Sequence, residues 1–173
     1  MMNGIIDLKR STKIEAWLRD IGCTPVPVPL EPATNWAVAV TIPPGTHMVV
    51  FNLKQAPRAV IVQARMVPLP AQSEAFGALE EDSRREFWQE LRSTLNREFT
   101  EFQLEGAPYN CPAAFVVSAT RWDDGLTLDS FARTLSSVNK ACLDGSAVFE
   151  EHLGTGGPAA VGGEFAFKKI DVQ

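Results

Sequence analysis

Residues 36–67 read WAVAVTIPPGTHMVVFNLKQAPRAVIVQARMV, and this stretch decides the fold. β-Branched and aromatic residues dominate from Trp36 to Ile42, from His47 to Lys54 and from Ala59 to Val67, which is the composition of strands. Pro43, Pro44 and Gly45 separate the first two runs, and Gln55 to Arg58 separate the next two. Connections so short leave no room for a crossover helix, so the three strands are expected to pair antiparallel as a β-meander. In the first run Trp36, Val38, Val40 and Ile42 share one face, while Ala37, Ala39 and Thr41 share the other. One face is therefore expected to be buried, and the other to hold side chains small enough for a helix or a partner to approach.

Toward the amino end, Thr12 with Glu15 reads as a capping box opening a short helix. Ile14, Trp17, Leu18 and Ile21 form its apolar face, and Gly22 offers a left-handed stop. Pro25, Pro27, Pro29 and Pro32 lack backbone donors, so the segment they occupy is expected to be an extended connector rather than a central strand. Toward the carboxyl end, an Ala-, Ser- and Gly-containing segment follows Pro68 and Pro70. Ser83 with Glu86 then reads as a second capping box, and Trp88, Leu91, Leu95, Phe99 and Phe102 recur at helical steps, predicting a long helix that covers the sheet. Phe102 to Glu105 is also a candidate short strand before Gly106 and Pro108. Ala114 to Trp122 is a strand, and Asp123, Asp124 and Gly125 a turn. Thr127 caps a last helix bearing Leu128, Phe131, Leu135, Val138 and Cys142, with Gly145 leaving open whether it continues through Val148, Phe149 and Leu153.

The expected architecture is α+β: an antiparallel sheet in the order α-β-β-β-α-β(-β)-α with helices packed on one face. A chain of 173 residues that is 45% apolar and 21% charged suits one domain, placed at residues 1–153. Residues 154–163 contain five glycines, which reads as a flexible linker, so residues 154–173 are expected to form a C-terminal tail carrying Phe165, Phe167, Ile170 and Val172. A net charge of −5 argues against a sequence-independent grip on nucleic acid and favours a basic or apolar partner segment. No apolar run approaches the length needed to cross a bilayer, and Asp7, Lys9 and Arg10 interrupt the amino end before a signal-like segment can form. Cys23, Cys111 and Cys142 are odd in number and widely spaced, against a disulfide framework or a zinc site. A cytoplasmic location without membrane contact is the expectation.

The element order, the long helix from Ser83 to Phe102, and the Phe115-Val116-Val117 strand feeding the helix of Leu128, Phe131, Leu135 and Val138 together resemble the type III secretion chaperone and YbjN-like folds. The resemblance covers about Thr12 to Leu153 and is one of topology, size and acidity. It implies a small homodimeric cytoplasmic protein that holds an extended segment of a partner or regulates a partner, and uses no cofactor. The Pro-rich segment and the Gly-rich tail depart from that pattern.

Candidate chemistry is sparse. His47 and His152 are the only histidines, and exposed or capping roles outweigh metal ligation for both. Cys111, beside Tyr109, is the best nucleophile candidate, although its simpler reading is a small apolar residue before a proline. Asp123 with Asp124 fits turn chemistry better than an acid-base pair. No catalytic or metal-binding residue is assigned. The residues offered as a partner or dimer surface are Trp36, Trp88, Phe99, Trp122, Phe165 and Phe167, because tryptophan and phenylalanine are enriched where surfaces associate, although the helical spacing of Trp88, Phe99 and Phe102 reads as core more readily than as a groove. The expected function is a non-enzymatic protein-binding or chaperone-like module. Its rival is a small-molecule carrier or thiol enzyme with a pocket between sheet and helices.

Overall fold

The computed structural model describes residues 2–96, 100–106, 110–154 and 159–160, with residues 2–8 and 159–160 by backbone only. Strands β2 (Thr34–Ile42), β3 (Thr46–Leu53) and β4 (Ala56–Val67) form the expected antiparallel meander. β1 (Val26–Pro27) pairs with β2 at one edge, while β6 (Ala114–Trp122) pairs with β4 and β5 (Glu101–Glu105) with β6, giving the order β1-β2-β3-β4-β6-β5. β7 (Ala159–Ala160) pairs antiparallel with the end of β4. The Pro-rich segment thus contributes only a two-residue bridge at the sheet margin, as its missing donors require.

Helices α1 (Met2–Asp20), α2 (Pro70–Ala78), α3 (Glu81–Leu95) and α4 (Leu128–Leu153) all bury side chains against the same sheet face. Ile14, Phe76, Leu91 and Phe149 come from the four helices, and Trp36, Val38, Val50, Val62 and Val117 from the strands. The β2 alternation therefore sets the face correctly. At its centre Phe87 meets Phe76 and Phe149 edge-on at ring distances of 5.3 and 5.1 Å, and Phe115 stacks on Phe149 at 5.6 Å. Such pairs add to the area-proportional gain from burying the rings.

Helix boundaries depart from expectation in three places. α1 begins ten residues before Thr12, so the Thr12 and Glu15 pair lies inside the helix and not at its start. Arg10 is anchored to the Asp123 carboxylate at 2.6 Å and donates to the Pro57 carbonyl, contacts that only the tertiary fold supplies. The far end is as expected: Gly22 takes φ +84°, with Cys23 N–H on the Leu18 carbonyl and Gly22 N–H on that of Arg19, the two bonds of a Schellman stop. α3 begins at Glu81, with Glu81 and Asp82 favoured in its first turn by the helix dipole, and it ends at Leu95. Phe102 consequently belongs to β5 and not to the helix. α2 was not foreseen; Pro70 sits at its first position, and the Gln72 side chain accepts from the Leu69 N–H at 3.0 Å.

α4 runs unbroken through Gly145. A Cβ there would lie 3.0 Å from Leu95 Cδ2 and 3.1 Å from the Phe115 ring, so the glycine permits close approach to α3 and β6 and does not end the helix. Its start is as read: Thr127 Oγ1 accepts from Ser130 N–H at 3.1 Å, and Ser130 Oγ from Thr127 N–H at 2.9 Å.

Asn52 is the one fully buried amide of the meander. Its Nδ2 donates to the Ala56 and Ala59 carbonyls at 3.0 and 2.6 Å, while its Oδ1 accepts from Asn35 at 2.7 Å. It thereby fixes the β3 to β4 turn, where the register between Phe51 and Leu53 slips. Asn52→Ala is expected to lower unfolding free energy by about 1–3 kcal/mol in urea titration, because buried carbonyls lose their donors. Gly145→Val should cost about 1–3 kcal/mol by overpacking against Leu95 and Phe115, measured the same way.

Candidate functional site

With the helices on one side, the strand alternation sends Ala37, Val49, Phe51, Leu53, Ala59 and Ile61 to the opposite face, where they form a second apolar cluster. β2 supplies the small side chains expected there, but β3 and β4 supply large ones. Phe51 is 1% exposed and Ile61 2%. Among the described residues, Val28 of the Pro-rich segment is the partly buried apolar side chain packed on this cluster. The same segment is tied to the end of β3, Lys54 N–H donating to the Ala33 carbonyl and Lys54 Nζ to that of Pro32.

Across β6 and β5 this face changes character. The register pairs Ile61 with Thr120, Gln63 with Ser118 and Ala59 with Trp122, so Ser118, Thr120 and Trp122 continue the face laterally. Trp122 is 47% exposed. Glu101, Gln103 and Glu105 of β5 extend it to the margin, and Glu105 holds Arg65 at 2.8 Å across β6. β5 is the last strand of the sheet on this side, so its outer backbone faces no described strand. At the other margin Pro25, Pro27 and Pro29 blunt the edge, since a proline cannot donate to an added strand. Of the two margins, β5 is the one whose sequence permits strand addition.

The residues expected to meet a partner are dispersed. Trp36 and Trp88, at 7% and 6% exposed, lie in the helix-side core, so their rings offer no surface on this chain. This corrects the sequence expectation: tryptophan count signals association only where the strand or helix phase leaves the ring outside. Trp122 is outside, because its position alternates with the buried Phe115, Val117 and Ala119. Phe99, Phe165, Phe167 and Tyr109 lie outside the described residues. β5 falls where Phe102 to Glu105 reads as a candidate short strand, and the alternation of Phe102 and Leu104 with Glu101, Gln103 and Glu105 is its signal.

The other candidates are separated from one another. His47 bonds Thr41 at 2.8 Å across the β2 to β3 hairpin, and His152 pairs with Glu90 at 2.7 Å, joining α4 to α3. Asp123 serves as an anchor: Arg10 holds it at 2.6 Å and Arg58 stands at 3.8 Å, while Asp124 is exposed. A cleft of about 280 Å³ lined by Lys9, Arg10, Lys13, Asp123 and Leu126 opens beside this anchor. Among the described residues no cluster of three or more His, Cys, Asp or Glu side chains is placed to hold a metal ion. No described helix is long and apolar enough to cross a membrane.

Comparison with known proteins places this arrangement in a family. The chain belongs to the DUF2299 family, described as an uncharacterized conserved protein, which matches residues 10–149. No curated protein gives a match. The crystal structure of an uncharacterized protein from Methanothermobacter thermautotrophicus aligns with a TM-score of 0.76 at 24% identity, covering 83% of this chain and 98% of that one, a likeness of fold. YbjN from E. coli aligns with a TM-score of 0.47 at 13% identity, covering 81% and 88% of the two chains. That neighbour is of the kind the element order resembles, at a score too low to carry argument. The secretion-chaperone half of the resemblance gains no support from these matches.

Cys111 is half-buried, with its Sγ 3.8 Å from the Ser73 hydroxyl. Burial pushes its thiol up, and the Ser73 contact offsets this only in part. Cys142, sealed in the core, is pushed up to about 12. A raised pKa leaves less thiolate near neutral pH, so Cys111 should react with a maleimide more slowly than free cysteine, its rate still rising with pH beyond the ordinary thiol midpoint. Cys142 should react only on unfolding. Peptide mapping after timed labelling checks both, and a Cys111 faster than free cysteine near pH 7 would favour the thiol-enzyme reading.

Proposed function

We propose that this DUF2299 protein is a non-enzymatic binding module that takes an extended, basic segment of a partner protein along the outer edge of β5. The observation that carries the reading is the asymmetry of the sheet margins: β1 is blunted by prolines, whereas β5 ends the sheet with a proline-free edge. Main-chain bonds to an added strand would give affinity. Glu101 beside that edge would select a basic side chain, in keeping with the net charge of −5.

Self-pairing through this edge gains nothing from charge: two β5 strands paired antiparallel about Gln103 would bring each Glu101 opposite a Glu105 already held by Arg65. A homodimer, implied by the fold resemblance, would therefore use another surface, and the exposed Trp122, Leu128 and Leu143 are its candidates. Sedimentation at micromolar concentration decides that point, a monomer throughout removing the dimer from the reading.

For the edge, the decisive comparison is the wild type against Glu101→Lys/Gln103→Lys. Partners recovered from native cells should be lost with the double variant, and amides of residues 101–105 should gain protection from hydrogen exchange when the recovered partner segment is added. An unchanged partner set, with the variant folded by circular dichroism, would remove β5 from the function.

A further inference from the structure

Phe51 and Ile61 stand on the sheet face that carries no described helix, yet they are almost without solvent contact. Side chains project from a sheet face roughly perpendicular to it, so burial this complete in mid-sheet requires a second layer. Val28, which follows β1 at the β2 margin, supplies part of that layer. The paired Val49 and Gln63 lie farther in, on β3 and β4.

β7 shows where such a layer can come from. β6 occupies one flank of β4 as far as Met66, and β3 occupies the other as far as Gln63. β7 continues that second flank, with Ala159 opposite Val67 and Ala160 opposite Met66. A strand continued from Ala160 in this lane would meet Val49 of β3 at Gln63. The plane of the sheet has no room for it there. On one side Ala64 and Met66 are packed in the helix-side core. On the other lies the second apolar face.

We propose that the second face of the sheet is the docking surface for this chain's own C-terminal segment, residues 161–173, with Phe165 and Phe167 seated over Val49, Phe51 and Ile61. The reach is sufficient: the path along β4 from Met66 to Ala59 is about 23 Å, and thirteen extended residues span about 43 Å. The pattern also fits. Phe165 and Phe167 are two apart, so in extended chain they project from the same side. The opposite side, with Glu164 and Lys168, is left for solvent. The proposal is independent of the β5 edge, which lies beyond β6.

The test uses the full chain with Cys111→Ser and Asp171→Cys, a nitroxide on the new thiol, and methyl-labelled Ile and Val. The expected result is loss of the Ile61 and Val49 methyl signals while those of Val60 and Val62, on the helix face, are much less affected, with recovery on reduction of the nitroxide. Adding Phe165→Glu/Phe167→Glu to the same chain should restore the Ile61 and Val49 signals. Signals retained in the first protein, or still lost in the second, would overturn the proposal. Mixing nitroxide-bearing unlabelled chain with methyl-labelled chain lacking the nitroxide should leave the signals intact. Their loss in the mixture would assign the face to the tail of a second copy and overturn the intramolecular seat.

Discussion

The close seat of α4 on the sheet is the contact on which the rest of this structure depends. At Gly145 the helix lies close enough to Leu95 and Phe115 that even a methyl group would press on them. That approach brings Phe149 between Phe87 and Phe115, and so ties α3, α4 and β6 into one packed unit. Close-packed interiors transmit volume changes instead of absorbing them, which makes this small void-free contact a constraint on every neighbouring element. The His152 to Glu90 pair then fastens the far end of α4 to α3.

Fixing the helices on one face gives the other face its character. The strand period leaves no choice: once Met48, Val50, Val60 and Val62 turn toward the helices, Val49 and Ile61 must turn away. This second face is not a uniform surface. It is strongly apolar over β2 to β4, becomes Ser118, Thr120 and Trp122 on β6, and ends in Glu101, Gln103 and Glu105 on β5. A covered apolar half and an acidic, unblunted margin are two different binding opportunities on one sheet, separated by β6. The proposed seat for residues 161–173 and the proposed capture of an outside segment use different parts of that gradient and do not compete for the same atoms.

Much of this was legible in residue order. The meander, the strand Ala114 to Trp122, the Gly22 stop and the Thr127 cap each rest on local chemistry that tertiary contacts did not override. The start of α1 was hidden because its support comes from Asp123 and Pro57, remote in sequence. The end of α3 was hidden because Phe102 satisfies a helical step as readily as the strand alternation it actually follows with Leu104. Strand and helix spacing put Trp36 and Trp88 on apolar faces, while residue type makes the same rings candidates for a surface. Type does not reveal on which side of the sheet a ring falls, and both fall inside.

The sequence by itself determined the class of the fold, because the period of two in the strands and the near-four repeats in the helices are properties of the backbone that any packing must respect. It also determined that the Pro-rich segment supplies no central strand, since its prolines cannot donate to a ladder. Only the tertiary structure decided that Gly145 is a contact and not a break, that Asp123 is an anchor for α1, and that β5 forms the open edge of the sheet. Those are facts about which distant atoms meet, and the free energy of such meetings depends on shape, burial and partner geometry that no short stretch of chain contains.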